Sequence, residues 1–175
     1  MTAKSDIRET TPGDIPALEK LYRATFPEED LVALVGDLMS AGPDVLSLAA
    51  VADGAIVGHV AFTRCTIGES GTRAALLAPL AVAPDRQRQG LGRALVNAGF
   101  DRLAEEGILY VFVLGDPAYY SRLGFTREDA VMPPYALPPE WDGAWQSARL
   151  RGAASPPPGS LDLPPVWLRP ELWLP

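Results

Sequence analysis

The chain is poor in the side chains that most often build metal and covalent centres. Its 175 residues include one cysteine, Cys65, and one histidine, His59. A single cysteine excludes an internal disulfide framework and fits a reducing compartment. Cys65 is read as a buried, inert thiol. One histidine and one cysteine cannot make a zinc site of the usual type, and no spacing of carboxylates suggests another, so no metal is expected. No apolar run is long and uncharged enough to cross a bilayer. The start, Met1-Thr2-Ala3-Lys4-Ser5-Asp6, holds no apolar signal region. A cytoplasmic protein with no membrane partner is the expectation. Positive charge is scarce as well, with 15 Lys and Arg against 22 Asp and Glu, a net charge of −7. That balance argues against nucleic acid as a partner and suits a cationic substrate.

What is present is enough apolar sequence, 47% of residues, for one domain with a core of its own. Helical spacing joins Ile15, Leu18, Leu21 and Tyr22, and Pro27 ends that segment. A second helix is expected from Glu28-Glu29-Asp30, with Leu31, Leu34, Val35 and Leu38 inward. Val45 to Val51 and Ile56 to Ile67 read as strands joined by Asp53-Gly54, a favoured hairpin dipeptide. Gly58 marks a bulge in the second of them. Ala74 to Val82 is a buried strand. Leu91, Ala94, Leu95, Ala98 and Leu103 give a helix that ends at Gly107. Ile108 to Leu114 is apolar throughout, as in a central strand covered on both faces. Pro117 to Leu123 is a short helix, and Phe125 to Val131 and Trp145 to Leu150 are further strands. This order predicts an α/β fold, a central mixed β-sheet with helices on both faces. Residues 1–151 make that domain. Residues 152–175 form a Pro-rich apolar tail, too apolar for a free linker, that packs on its own domain or across a homodimer interface.

The most informative stretch runs from Leu77 to Leu95. An apolar strand ends at Pro84, a short basic turn follows, and Gly90-Leu91-Gly92 opens a helix. The first N–H groups of a helix lack internal partners and carry partial positive charge. Glycine lets a bulky anion approach that backbone. Arg86, Arg88 and Arg93 add charge around the same turn. In an acidic chain, such an island points to a polyphosphate ligand.

These residues resemble the GNAT superfamily of acyl-CoA-dependent N-acetyltransferases. The family's phosphate motif is Gln or Arg, two residues, Gly, one residue, then Gly or Ala. It stands complete here as Gln87-Arg88-Gln89-Gly90-Leu91-Gly92. A second block, Gly115-Asp116-Pro117-Ala118-Tyr119-Tyr120-Ser121-Arg122-Leu123-Gly124-Phe125, is similar to the family's later element, Tyr followed by three residues and Gly-Phe. Its wording is closest to a bacterial subgroup of predicted N-acetyltransferases. The resemblance covers about Leu77 to Phe125. It implies acetyl-CoA as cosubstrate. The pantetheine arm would borrow backbone hydrogen bonds from Leu80 and Val82, and the pyrophosphate would sit on Gln87, Arg88, Gln89, Gly90, Leu91, Gly92 and Arg93. Arg86 or Arg88 would meet the 3′-phosphate or stand as a solvated charge.

The implied activity is transfer of the acetyl group from acetyl-CoA to a primary amine of a small molecule or peptide, by direct attack on the thioester. By its place in the second block, Tyr120 is the general acid for the departing thiolate; its alternative role is packing. Tyr119 beside it is read as structural. The strand near Leu80 offers an N–H for the oxyanion. The base is open. Leu76-Leu77-Ala78-Pro79-Leu80-Ala81 carries no carboxylate where many family members place a glutamate. His59 has a suitable unperturbed pKa. Glu28, Glu29 and Asp30 are further candidates or helix-start charges, Asp116 is a base candidate or a cap, and a water chain is a third route. The competing reading is a non-catalytic acyl-CoA-binding or sensor module. A dehydrogenase reading is poor, since the turn lacks the first glycine of G-x-G-x-x-G and the strand pattern differs.

Overall fold

The computed structural model describes residues 5–174. Most of the segment on which the absence of a leader was judged, Met1–Lys4, lies outside the described residues. The chain divides into two compact units, one of residues up to Phe62 with Ala78–Asp101, the other of Thr63–Leu77 with Arg102 onward.

The first unit holds β1 (Asp6–Glu9), α1 (Ile15–Thr25), α2 (Val32–Met39), β2 (Val45–Ala52), most of β3 (Ala55–Ile67), the end of β4 (Thr72–Val82) and most of α3 (Leu91–Glu105). β1 runs antiparallel to β2, from Asp6↔Val51 to Glu9↔Leu48. Neighbouring strands follow the order β1-β2-β3-β4. Asp53 and Gly54 take φ of 52° and 77°, the left-handed pair that a two-residue hairpin turn requires. Leu18, Leu21 and Tyr22 of α1, Val35 of α2 and Ala81 of β4 form one buried cluster, so the helical spacing read from the sequence is the face that packs.

One expectation is corrected in this unit. α2 begins at Val32, not at Glu28, and its first bond runs from the Val35 N–H to the Leu31 carbonyl at 3.0 Å. Glu28, Glu29 and Asp30 are exposed in the turn after Pro27, so they do not charge a helix start. Gly58 is closely packed: a Cβ there would lie 2.9 Å from Leu95 Cδ1 and 3.4 Å from the Ala81 carbonyl. A Cβ on Gly99 would likewise overlap the Phe62 ring. Both glycines let α3 lie close on β3.

In the second unit the start of β4 pairs in parallel with β5 (Tyr110–Leu114) at Ala75↔Val111 and Leu76↔Phe112. β8 (Trp145–Arg149) is antiparallel to β5 along its length and also pairs antiparallel with β6 (Thr126–Arg127). Parallel pairing beside antiparallel pairs makes the sheet mixed, as expected. β5 is shorter than the run 108–114, because the Ile108 N–H closes α3 on the Leu103 carbonyl at 2.9 Å. α4 (Pro117–Tyr120) follows β5.

The strand expected over Phe125 to Val131 is broken into β6 and β7 (Val131–Met132). Buried Glu128 is the cause. Its carboxylate accepts the Ala130 N–H at 2.7 Å, the Val131 N–H at 2.9 Å and the Ser147 hydroxyl at 2.6 Å, so backbone donors turn to a side chain instead of a neighbouring strand. Beyond Gly152, β9 (Gly159–Asp162) pairs antiparallel with the end of β3 at Ile67↔Leu161 and parallel with β7 at Val131↔Gly159. The Trp167 indole N–H donates to Thr63 Oγ1 and the Trp173 indole N–H to the Trp167 carbonyl, both at 2.9 Å. Trp173 meets Trp145 and Trp167 edge-on at 5.9 and 6.2 Å between ring centroids. Leu161, Leu163, Trp167 and Trp173 are buried.

Candidate active site

The parallel ladder on β4 stops at Leu76. The Ala83 N–H donates to the Val57 carbonyl at 2.8 Å. Backbone groups alternate sides along a strand, so the polar groups of Leu80 and Val82 point away from β3. The Val82 carbonyl is already occupied there: Gln87 Nε2 donates to it at 3.0 Å and Thr25 Oγ1 at 3.4 Å. Among the described residues no hydrogen bond outside the sheet ladders engages the Leu80 N–H or carbonyl or the Val82 N–H. Thr25 was missed in the sequence, since nothing in a helix C-terminal threonine signals a partner 57 residues away.

The turn that follows is exposed from Gln87 to Gly90. A 3₁₀ turn over Pro84–Arg86 leads into it. Arg88 and Gly90 take φ of 64° and 84°. Left-handed residues set into a turn aim successive N–H groups to one side and make an anion-binding concavity. α3 starts at Leu91, and its first capped bond is the Ala94 N–H to the Gly90 carbonyl at 3.0 Å. The N–H groups of Leu91, Gly92 and Arg93 are therefore the helix's orphan donors. Gln89 Nε2 lies 3.5 Å from the Asp85 carbonyl. Arg86 is paired with Asp53 at 3.4 Å, whereas no ion pair engages Arg88 or Arg93 among the described residues. Of the two arginines considered for a 3′-phosphate, Arg88 is the one left unpaired.

Tyr120 ends α4, which Asp116 caps by accepting the Ala118 N–H on Oδ1 at 2.9 Å. That is the capping role considered for Asp116. The Tyr120 ring lies against Gly115, where a Cβ would overlap it, and meets Phe125 and Tyr119 edge-on. Burial pushes its hydroxyl pKa up, and Tyr119 adds to the shift. The group is a loaded proton donor at neutral pH. Among the described residues its oxygen has no hydrogen-bond partner.

His59 is placed differently. It is 1% exposed. Its Nδ1 lies 2.7 Å from the Tyr22 hydroxyl and its Nε2 2.7 Å from the Ser47 hydroxyl, which in turn accepts from Thr10 Oγ1 at 2.7 Å. Burial lowers its pKa to about 4, partly opposed by Asp14. Both ring nitrogens are spoken for, and the geometry is that of a neutral, satisfied core histidine. Cys65 is also protonated, its thiol pushed up to about 12 by burial, with Asp162 adding. Among the described residues no cluster of His, Cys, Asp or Glu is placed to hold a metal ion, and no helix is long and apolar enough to cross a membrane.

Comparison with known proteins gives the family. The model of the acetyltransferase (GNAT) family matches residues 15–125, and the chain belongs to that family. It is 41% identical over 120 residues to the uncharacterized N-acetyltransferase YhbS of Escherichia coli strain K12, covering 68% of this chain and 72% of that one. It is 38% identical over 155 residues to YjhQ of the same strain, another uncharacterized N-acetyltransferase, covering 86% and 82%. The crystal structure of Escherichia coli YhbS in complex with CoA superposes with a TM-score of 0.81 at 32% identity, covering 97% of this chain and 94% of that one. A GNAT family acetyltransferase from Brucella melitensis in complex with acetyl-CoA gives 0.75 at 26% identity, covering 94% and 98%.

Proposed function

We propose that the protein is an acetyl-CoA-dependent N-acetyltransferase acting on a primary amine. The observation that carries this reading is the exposed Gln87–Gly90 turn, with two left-handed residues leading into the orphan N–H groups of α3. The same turn reads as a pyrophosphate cradle on physical grounds and as the family's phosphate motif. Acetyl-CoA supplies the activated acetyl group. Leu80 and Val82 hold its pantetheine arm by main-chain hydrogen bonds, and Leu91, Gly92 and Arg93 hold the pyrophosphate. Gln87 and Thr25 brace the Val82 carbonyl and so fix where the strand ends and the turn begins. The Leu80 N–H is the oxyanion donor. Tyr120 delivers a proton to the departing sulfur, and its raised pKa keeps that proton on the hydroxyl until the thiolate forms. Support comes from CoA and acetyl-CoA in the YhbS and Brucella structures.

His59 has no part in this mechanism, because a base needs a free lone pair facing the amine. One observation favours a second reading, a non-catalytic acyl-CoA sensor: β4 carries no carboxylate and the sole histidine is sealed. Incubation with acetyl-CoA and a panel of amines separates the two. Amine-dependent release of free CoA thiol supports the enzyme. Tight CoA binding with no thiol release for any amine overturns it.

A further inference from the structure

β8 lies between β5 and β6, and Gln146 faces Val113 on one side and Arg127 on the other. It is 2% exposed. A primary amide buried there needs partners. Its Nε2 donates to the Gly115 carbonyl at 3.1 Å and to the Ala144 carbonyl at 3.3 Å. Two carbonyl partners require the donor end of the amide, so its orientation is settled by chemistry. The Ala144 carbonyl also accepts the Gly115 N–H at 3.0 Å. Both peptide groups flanking the Gly115 Cα are therefore tied, one through its N–H and the other through its carbonyl. That fixes the backbone at the residue where the chain leaves β5 for α4.

Gly115 is also the floor under Tyr120, since a Cβ there would overlap the phenol ring. The ring's further supports are near it in the chain. Tyr119 meets it at 5.0 Å and Phe125 at 5.5 Å between centroids. The Tyr120 N–H donates to the Asp116 carbonyl at 3.0 Å, and the Phe125 N–H to the Tyr120 carbonyl at 3.2 Å. These contacts lie within residues 116–125 and move with that segment. The clamp on Gly115 ties the segment to the sheet.

We infer that Gln146 is a positioning residue for Tyr120. By holding the Gly115 carbonyl it sets the surface on which the ring rests, and so the direction in which the hydroxyl points. A displacement of about 1 Å far from the reacting atoms is enough to cost about 10²-fold in rate. The effect on turnover rests on the acid role given to Tyr120 above; the effect on the ring's position does not.

The test uses the full chain. Gln146→Met removes both donors and nearly keeps the volume. Gln146→Glu keeps the shape and, while protonated, one donor; it serves the same comparison if the methionine variant does not fold. Gln146→Met should lower kcat about 10- to 100-fold, with CoA affinity and the KM for the amine held. Against the wild type at the same pH, the deficit of Gln146→Glu should grow as pH rises and its carboxyl loses the donor. In a Tyr120→Phe background, Gln146→Met should change kcat by no more than about twofold, because both changes act through one hydroxyl. With ring-labelled tyrosine, the NMR signal that Tyr120→Phe abolishes should shift in Gln146→Met, while that of Tyr22 stays in place. An unshifted Tyr120 signal overturns the inference. So does wild-type kcat in Gln146→Met where Tyr120→Phe is impaired, or an undiminished loss in the Tyr120→Phe background. Wild-type turnover in Tyr120→Phe overturns the acid role instead, and absence of turnover with every amine overturns the acetyl-transfer reading. In both of those cases the Tyr120 signal still decides whether Gln146 positions the ring.

Discussion

Gly90 offers the sharpest test of the phosphate turn, because its backbone and its surroundings make separate demands. Its φ is 84° and nothing lies within 4 Å of an added Cβ. A side chain there meets no clash, only left-handed strain, which costs an ordinary residue about 1–2 kcal/mol and asparagine less. Gly90→Asn therefore serves as the control. It keeps the turn, adds bulk and stays neutral. Gly90→Asp is nearly the same shape with one negative charge. Two unit charges at 4 Å interact by about 1 kcal/mol in water and about 4 kcal/mol near a protein surface. A carboxylate set against a pyrophosphate should thus weaken CoA at least about fivefold beyond the asparagine variant, and about tenfold for every 1.4 kcal/mol. Added salt should narrow the gap. Calorimetric titration of CoA into both variants, with melting temperatures as a check on folding, measures the difference. Equal CoA affinity in Gly90→Asp and Gly90→Asn, both folded, would refute the placement of the pyrophosphate on this turn.

Three further outcomes follow from the geometry. Tyr120→Phe should keep the fold and the CoA affinity, since the ring packing against Gly115 and Phe125 is retained, while turnover falls about 10²–10⁴-fold; wild-type turnover across pH would make Tyr120 structural. His59 holds a folded pKa of about 4 against an ordinary 6.5, so the folded state binds fewer protons between those values. Its stabilisation is complete above about pH 6.5 and is lost as pH falls toward 4, amounting to about 3 kcal/mol. Urea titrations over that window should show the slope in the wild type and a flatter line in His59→Gln. Trp173 is 2% exposed, and Trp173→Ala should cost about 3–5 kcal/mol, read as a lower melting temperature; truncation after Ala153 should do at least as much, and an unchanged melting temperature in both would show that these indoles do not hold the fold.

Much of this protein was legible before any coordinates. The motif Gln87-Arg88-Gln89-Gly90-Leu91-Gly92 is local chemistry: a strand end, a basic turn and a helix start are neighbours in sequence, so their ligand preference can be read there. The helical face of α1 and the hairpin at Asp53-Gly54 are local too, because periodicity and turn dipeptides act over a few residues. Only tertiary structure could decide the rest, since it depends on partners distant in the chain. His59 looks like a base until Tyr22 and Ser47 arrive on its two nitrogens. Phe125 to Val131 looks like one strand until the Glu128 carboxylate, braced by Ser147, takes two of its N–H groups. A residue type and its spacing carry what a side chain can do, whereas burial and the hydrogen bonds of remote neighbours settle whether its lone pairs and protons are free to do it.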